Sequence, residues 1–512
     1  MEVDVTERHP RRWLILIVLC LSTLVLVIDN MVLTVAVPPI AEDLKASAQD
    51  IQWILESYML VFAGLLLTAG SLSDRYGRRK VMIIGLTVFG AASVLATWAG
   101  SAEMLIFARV LMGIGGALLM PSTLSILITV FDEDERPKAI GAWSAVAMIG
   151  LVGGPVFGGV LIAHFWWGAV FLINIPIAAL AIVSALVLMP ESKGPWRKPD
   201  PVGTVLSVVG MTALVWAINE WPKDGITHPA TLTAAVVAVV ALVSFGIWET
   251  RIPEPMMPVA LFRNRVFTGS SFSLVLLTFA NGGLMLVLTQ YLQFVLGYSP
   301  TKTGLAFMPA AVASLVFNGV GAALAKKIGN RALAVSGLLV IAGGFATLST
   351  LSPGDGFGTL SVAMVLMGAG AGLAMPAAIA ALMGAVPQEH AGVGSALNDT
   401  IQQAGAAFGV AVLGAVLSST YTSEMPQSAP AAARETIGEG LAVAARTNDA
   451  GLVSTVHEAF TDAVSSSFTV GAAGVVGAAV LALFLMKGAG KGEAPPAGDA
   501  GEEKEPEVVG VH

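Results

Sequence analysis

A chain of 512 residues that is 55% hydrophobic and only 12% charged, with a mean hydropathy of +0.79, is excluded from the water-soluble globular class. Its formal net charge of −8 leaves no basic surface for nucleic acid, and its single cysteine, Cys20, rules out an intramolecular disulfide or a cysteine-held metal cluster. No P-loop, metal-ligand set or nucleophile–base set is visible, so neither an enzyme nor a bound cofactor is expected.

The apolar residues come in blocks of about 20, the length at which a helix rising ~1.5 Å per residue crosses ~30 Å of hydrocarbon. After a short basic leader, residues 1–12, the first block (13–35) follows Arg8, Arg11 and Arg12 in the manner of a signal peptide. It is too long for one and carries Asp29, so it reads as a retained span. Further spans are predicted at 51–72, 81–99, 103–130, 138–162 and 167–189, then at 202–219 and 230–248. The last six fall at 267–292, 303–325, 332–351, 357–384, 391–418 and 465–486. The expectation is an all-α integral membrane protein of fourteen spans: a six-helix bundle (13–189), two linker helices (202–248) and a second six-helix bundle (267–486). The string GSLSDRYGRRK after the second span has a degraded echo, AALAKKIGNRA, after the tenth, as repeated halves require.

Alternate loops hold Arg75, Arg78, Arg79, Lys80, Arg136, Lys138, Lys193, Arg197, Lys198, Arg251, Arg263, Arg265, Lys326, Lys327 and Arg331. The opposite loops hold only Lys45, Lys223, Lys302, Arg434 and Arg446, which places both termini on the cytoplasmic side by the positive-inside rule. The one long loop, 420–464, is then extracellular; its alanine-rich stretches predict two amphipathic helices, as a surface hairpin or a gate. The acidic tail, 487–512, is expected to be disordered.

Each charge inside a bilayer costs at least ~2.5–3.5 kcal/mol at a helix centre, so the few that remain mark the function. Asp29 lies deep in the first span, where a carboxylate is paired, solvated by a cavity or neutralised by a proton. Any of these suits proton coupling, and the deprotonated acid is expected to bind a cationic cargo together with Glu56 and Asp399, which protons then release; the plain alternative is an acid held permanently protonated in a helix–helix hydrogen bond. Arg109, the basic residue of the fourth span, must meet an acid or helix-end carbonyls, either to bias the proton on Asp29 or as a structural ion pair. Glu56 stands one turn from Trp53, so that carboxylate and ring together suit a cation, or else Glu56 is simply interfacial. Asp399 is a third acid, two turns into the thirteenth span, suited to proton or cargo or to lining a vestibule. Met59, Phe62, Met120 and Met148 are expected as apolar wall residues of a cargo site. In the fifth span, Gly150, Gly154, Gly158 and Gly159 with Pro155 make a close-packed, bendable interface.

These strings resemble the major facilitator superfamily, and within it the fourteen-span drug:proton antiporters. GSLSDRYGRRK looks like the superfamily's cytoplasmic signature, with Gly70, Asp74, Arg75, Gly77, Arg78 and Arg79 in register. GLVGGPVFGG looks like the antiporter motif of span five, and IDNMVLTVAVPPI, FLINIPI and EPMMPVALFRNRVF are similar to strings of the fourteen-span group. The resemblance covers about 13–487 and departs at Met112, where the family pattern has glutamine. It implies the major facilitator fold, export of small organic cations against inward proton flow, Asp29 and Arg109 in the coupling network, and the DRYGRR loop as a latch. Acids at Glu56 and Asp399 resemble the subgroup that exports quaternary ammonium compounds and dyes. A monomer in the lipid bilayer is expected, with protons as the coupling ion and no metal. Export of an endogenous antibiotic, or a receptor or scaffold role without transport, are the alternatives.

Overall fold

Hydrocarbon offers a peptide group no hydrogen-bond partner, so long apolar runs must satisfy their backbones internally, as helices. In the computed structural model every predicted span is helical; residues 10–194, 200–224, 228–352 and 357–486 are described. The first half contains α1 (Arg12–Asp43), α2 (Ala48–Tyr76), α3 (Arg78–Thr97), α4 (Ala102–Val130), α5 (Arg136–His164) and α6 (Asn174–Leu188). A hairpin, α7 (Pro201–Asp224) and α8 (Pro229–Glu249), follows. The second half contains α9 (Arg265–Gln290), α10 (Lys302–Ala325), α11 (Lys327–Leu348), α12 (Phe357–Gly384), α13 (Ala391–Glu424) and α14 (Ala450–Leu485). Thirteen of these meet the length and hydropathy that a crossing needs, and α5 matches α2 and α4 at 29 residues. The leader and the acidic tail lie outside the described residues, apart from Pro10 to Arg12.

The faint sequence echo corresponds to a repeated contact. Gly77, between α2 and α3, has φ +115°, and Gly329, at the kink in the first turn of α11, has φ +78°, conformations in which a side chain is strained. Two residues beyond Gly77, Arg79 donates from Nη1 to the Met189 carbonyl just past α6, at 2.9 Å. Two residues beyond Gly329, Arg331 donates to the Leu483 carbonyl in the last turn of α14. In each half an arginine closes the free carbonyl end of the sixth helix, where a cation is favoured.

Glycines set the helix spacing within each half. A Cβ on Gly154 would stand 2.4 Å from Met31 Cβ, whereas Gly159 faces open space. Gly154→Leu is therefore expected to destabilise the α1–α5 contact by about 1–3 kcal/mol through overpacking. Gly159→Leu is expected to be tolerated, and thermal unfolding of the two variants in detergent compares them.

The hairpin packs α7 on α2, with Leu60 and Ala63 against Val215 and Gly64 under the Thr212 hydroxyl. Its foot is tied by Trp248 Nε1, which donates to Asp200 at 3.0 Å, and by Glu249, which accepts from the Met257 amide of the EPMMPV string at 2.9 Å.

Two boundaries differ from expectation. The first helix continues through Pro38 and Pro39 to Asp43, well past residue 35. The long loop forms a 3-10 turn, Ala431–Arg434, and one short α-helix, Ile437–Thr447, rather than two amphipathic helices. The second alanine-rich stretch is instead the outer part of α14, because its apolar positions Val456, Ala459, Phe460 and Ala463 stay in phase with the span that follows. Tyr421 reaches across from α13 to hydrogen-bond the Ala433 carbonyl at 2.8 Å, so the loop packs on helix extensions rather than lying free.

Candidate functional site

Asp29 and Arg109 come together in the core of the first half, each side chain only 1% exposed. Arg109 Nη1 donates to Asp29 Oδ2 at 2.6 Å, and Asn174 Nδ2 of α6 donates to Asp29 Oδ1 at 2.8 Å. The guanidinium also donates from Nε to the Ile54 carbonyl (3.2 Å) and from Nη2 to Asn30 (3.3 Å), and lies 4.4 Å over the Tyr58 ring. Four helices, α1, α2, α4 and α6, thus converge on one buried ion pair. A buried pair survives only when its remaining donors and acceptors are met, and here they are met from all sides. Loss of the charge on either partner leaves the other stranded in low dielectric, so proton occupancy and packing are coupled.

Sequence reasoning gathers Asp29, Glu56 and Asp399 about one cargo, but the structure distributes them over three neighbourhoods. Glu56 lies about 200° round α2 from Tyr58 and so turns away from Arg109. Gln52 Nε2 donates to Glu56 Oε1 at 3.2 Å and to Glu220 Oε1 of α7 at 2.8 Å, which puts Glu56 at the contact with the linker hairpin. Asp399 lies in α13, where ten successive residues from Ala391 to Thr400 are all buried. A helix buried on every face is wedged between neighbours, and α13 packs on α2 and α4 of the first half as well as on α9 and α14 of its own. Asp399 Oδ1 accepts from Asn398, while its Oδ2, Ser395 Oγ, Asn398 Oδ1 and Thr400 Oγ1 meet no hydrogen-bond partner among the described residues.

The expected wall residues divide as well. Phe62 stacks on Tyr58 at 5.7 Å between ring centres, buried in the first half, and Met120 is half-buried against the same core. Trp53 and Met59 are 42% and 40% exposed. The side chains of Met148 and Pro155 lie outside the described residues.

The signature loop joins the halves. Arg78 donates to Asp74 Oδ1 from Nε (3.0 Å) and Nη2 (2.7 Å), and from Nη2 to the Gln388 carbonyl at 2.8 Å. The Asp74 carboxylate in turn accepts from the Gly392 amide (2.9 Å) and the Val393 amide (3.0 Å). Those amides open α13, so an acid from the first half caps a helix of the second, which its own preceding residue His390 leaves uncapped by a side chain. Gly70 permits the approach: a Cβ there would stand 2.5 Å from Ala396 Cβ. Arg75 and Asp74 also line a cavity of about 120 Å³ shared with Asp200, Thr204, Glu389 and His390.

Asn30, Tyr58 and Asn174 are partners of the Asp29–Arg109 pair that sequence reasoning missed. Asn174 sits within FLINIPI, and the available signal was a neutral amide in an otherwise apolar run.

The sequence matches the Major Facilitator Superfamily model over residues 19–410. It is 38% identical to the multidrug efflux pump LfrA of Mycolicibacterium smegmatis, with 86% of this chain and 89% of the pump covered. It is 33% identical to the tetracenomycin C resistance and export protein of Streptomyces glaucescens, with 96% of each covered. The fold resembles the crystal structure of the human organic anion transporter MFSD10, with a TM-score of 0.60 at 13% identity over 91% of this chain and all of that one.

Proposed function

The chain belongs to the Major Facilitator Superfamily, and from that premise we propose that it exports lipophilic organic cations in exchange for protons, with the basic end in the cytoplasm. The observation that carries the reading is the buried Asp29–Arg109 pair. A proton reaching Asp29 cancels the charge that Arg109 compensates, so the network must rearrange when it loads or unloads. The proposed cycle has cargo entering when the halves part at the basic end and binding between them near Asp399. The Asp74 cap then re-forms on α13 and closes that side. Protons arriving from the far side weaken the attraction for a cation and release it. Full burial of the pair argues that Asp29 acts through protonation rather than by direct contact with cargo in this state. A proton entering and a monovalent cation leaving move no net charge, so the membrane potential cancels; one pH unit supplies ~1.4 kcal/mol, enough for one proton per cation to hold about a tenfold gradient.

Reconstituted vesicles with an imposed pH gradient test this, using one monovalent and one divalent dye. Accumulation that follows the gradient and collapses with a protonophore is expected. Uptake indifferent to the gradient would overturn the exchange mechanism. A second reading, export of an antibiotic made by the cell itself, is supported by the likeness to the tetracenomycin C export protein across 96% of both chains. It predicts that a neutral polycyclic antibiotic is carried while simple dyes are not.

A further inference from the structure

The foot of the linker hairpin brings two carboxylates together with no donor between them. Asp200 precedes α7 and Glu249 ends α8, so neither belongs to the Asp29 network or to the Asp74 cap. Asp200 Oδ1 accepts from the Gly203 amide at 2.8 Å, and Trp248 Nε1 straddles both Asp200 oxygens at 3.0 and 3.1 Å. Glu249 is 2% exposed. Its Oε2 accepts from the Met257 amide, whereas Oε1 is buried and meets no hydrogen-bond partner among the described residues. What Oε1 faces is the other acid. A Cβ on Gly203 would stand 2.1 Å from Asp200 Oδ2 and 2.8 Å from Glu249 Oε1, so both oxygens crowd one point, and the two side chains lie within hydrogen-bond reach of each other.

Two ionised carboxylates in such a place would repel each other and lack the hydration that offsets burial. No cation among the described residues pairs with either one. The charged and titratable neighbours are Asp74, Arg75 and Tyr76 of α2 and Glu389 and His390 before α13, which share a cavity with Asp200, together with Arg251 and Glu254 after α8. Asp74 is engaged by Arg78 and the α13 amides, Arg75 lies 4.9 Å over the Tyr76 ring, and His390 Nε2 is 3.5 Å from Glu389. Arg197 and Lys198 lie outside the described residues. A single proton removes one of the two charges and supplies the missing donor in one step.

We propose that Asp200 and Glu249 form a one-proton site, distinct from Asp29, in which a hydrogen shared by Asp200 Oδ2 and Glu249 Oε1 clamps the foot of the hairpin. The clamp joins the start of α7 to the end of α8 and, through the Met257 amide, to the segment that leads into α9. With the proton gone the two charges push apart, and this joint loosens beside the cavity that Asp74 and Arg75 line. The site goes beyond the transport reading and stands whether or not the chain exchanges protons for cargo.

Infrared difference spectra of the purified protein between about pH 6 and about pH 9 test it. Wild type is expected to show the carbonyl band of a protonated carboxylic acid that disappears at the alkaline end. Glu249→Gln and Asp200→Asn each place a permanent amide donor where the proton stood, and both are expected to lose that same band. A proton held by the folded pair and shared with solvent on unfolding stabilises at low pH, and that stabilisation is lost as pH rises through the titration of the pair. The Tm of wild type is therefore expected to fall a few degrees further across this interval than that of Glu249→Gln. No titrating band in wild type, or a band that survives in both variants, overturns the proposal. Loss of the band in one variant alone also overturns it, because that describes an isolated acid and not a shared proton. Stabilisation of wild type by calcium chloride in place of the band would give the site to a metal ion instead. Should one variant fail to fold, the wild-type band and the pH slope of the other decide.

Discussion

Asp29→Asn is expected to abolish accumulation of dye against its gradient in reconstituted vesicles while leaving dye binding within a few-fold of wild type. The amide keeps the shape of the carboxylate and can still accept one hydrogen bond, but it cannot take up or release a proton. Arg109 would retain the Ile54 carbonyl, Asn30 and the Tyr58 ring, yet lose its only carboxylate among the described residues. Removing one partner of a buried pair typically costs about 3–5 kcal/mol. A general loss of stability is therefore part of the expected phenotype, and it must be separated from loss of coupling. The separating measurement is exchange: the variant, if folded, should still equilibrate dye down its gradient with no accompanying proton movement. Proton-driven accumulation by Asp29→Asn at the wild-type level would remove this residue from the coupling mechanism.

Asp74→Ala is expected to have the next largest effect, by opening the basic end. It deprives Arg78, 2% exposed, of its carboxylate and leaves the Gly392 and Val393 amides without their acceptor. Charge-assisted hydrogen bonds contribute about 1.5–3 kcal/mol each, and two states of such a protein are separated by only a few kcal/mol. The balance should therefore move decisively toward the arrangement in which the halves have parted. Ala396→Cys, fully buried against Gly70, reports this in a Cys20→Ser background. Its labelling by a water-soluble thiol reagent is expected to accelerate about tenfold or more once Asp74 is removed, the factor that 1.4 kcal/mol produces. Equal labelling with and without Asp74 would mean that the cap does not govern closure.

Much of this was readable from the chain, for a physical reason. Charges in hydrocarbon must find partners, so Asp29 and Arg109 stand out in the sequence, and the structure puts them 2.6 Å apart. Apolar run length gave the spans to within a few residues at most ends. Asn174 escaped notice because a neutral amide barely disturbs hydropathy, although it completes the Asp29 site. Glu56 was readable as an intramembrane acid but not as a neighbour of the linker hairpin. Which face of α2 meets α7 depends on where that hairpin docks, and no single-helix periodicity contains it. The loop before α14 was misjudged for a similar reason. Alanine-rich sequence with apolar residues at helical spacing looks the same whether the helix ends or runs on, and the continuation from Ala450 to Leu485 is decided by packing against the helices beside it.

On the proposed cycle, the end that Asp74 closes contains its own incentive to reopen. Ser395, Asn398, Asp399 and Thr400 each keep a polar atom out of contact with water and with any partner among the described residues. Stranding such a group costs about 1–3 kcal/mol. Wetting this stretch of α13 as the halves part recovers those terms together, opposing the grip of the Asp74 cap with a force of comparable size. In the proposed cycle the closed gate is thus a compressed hinge: one acid would hold it shut, and solvent would be ready to prise it apart.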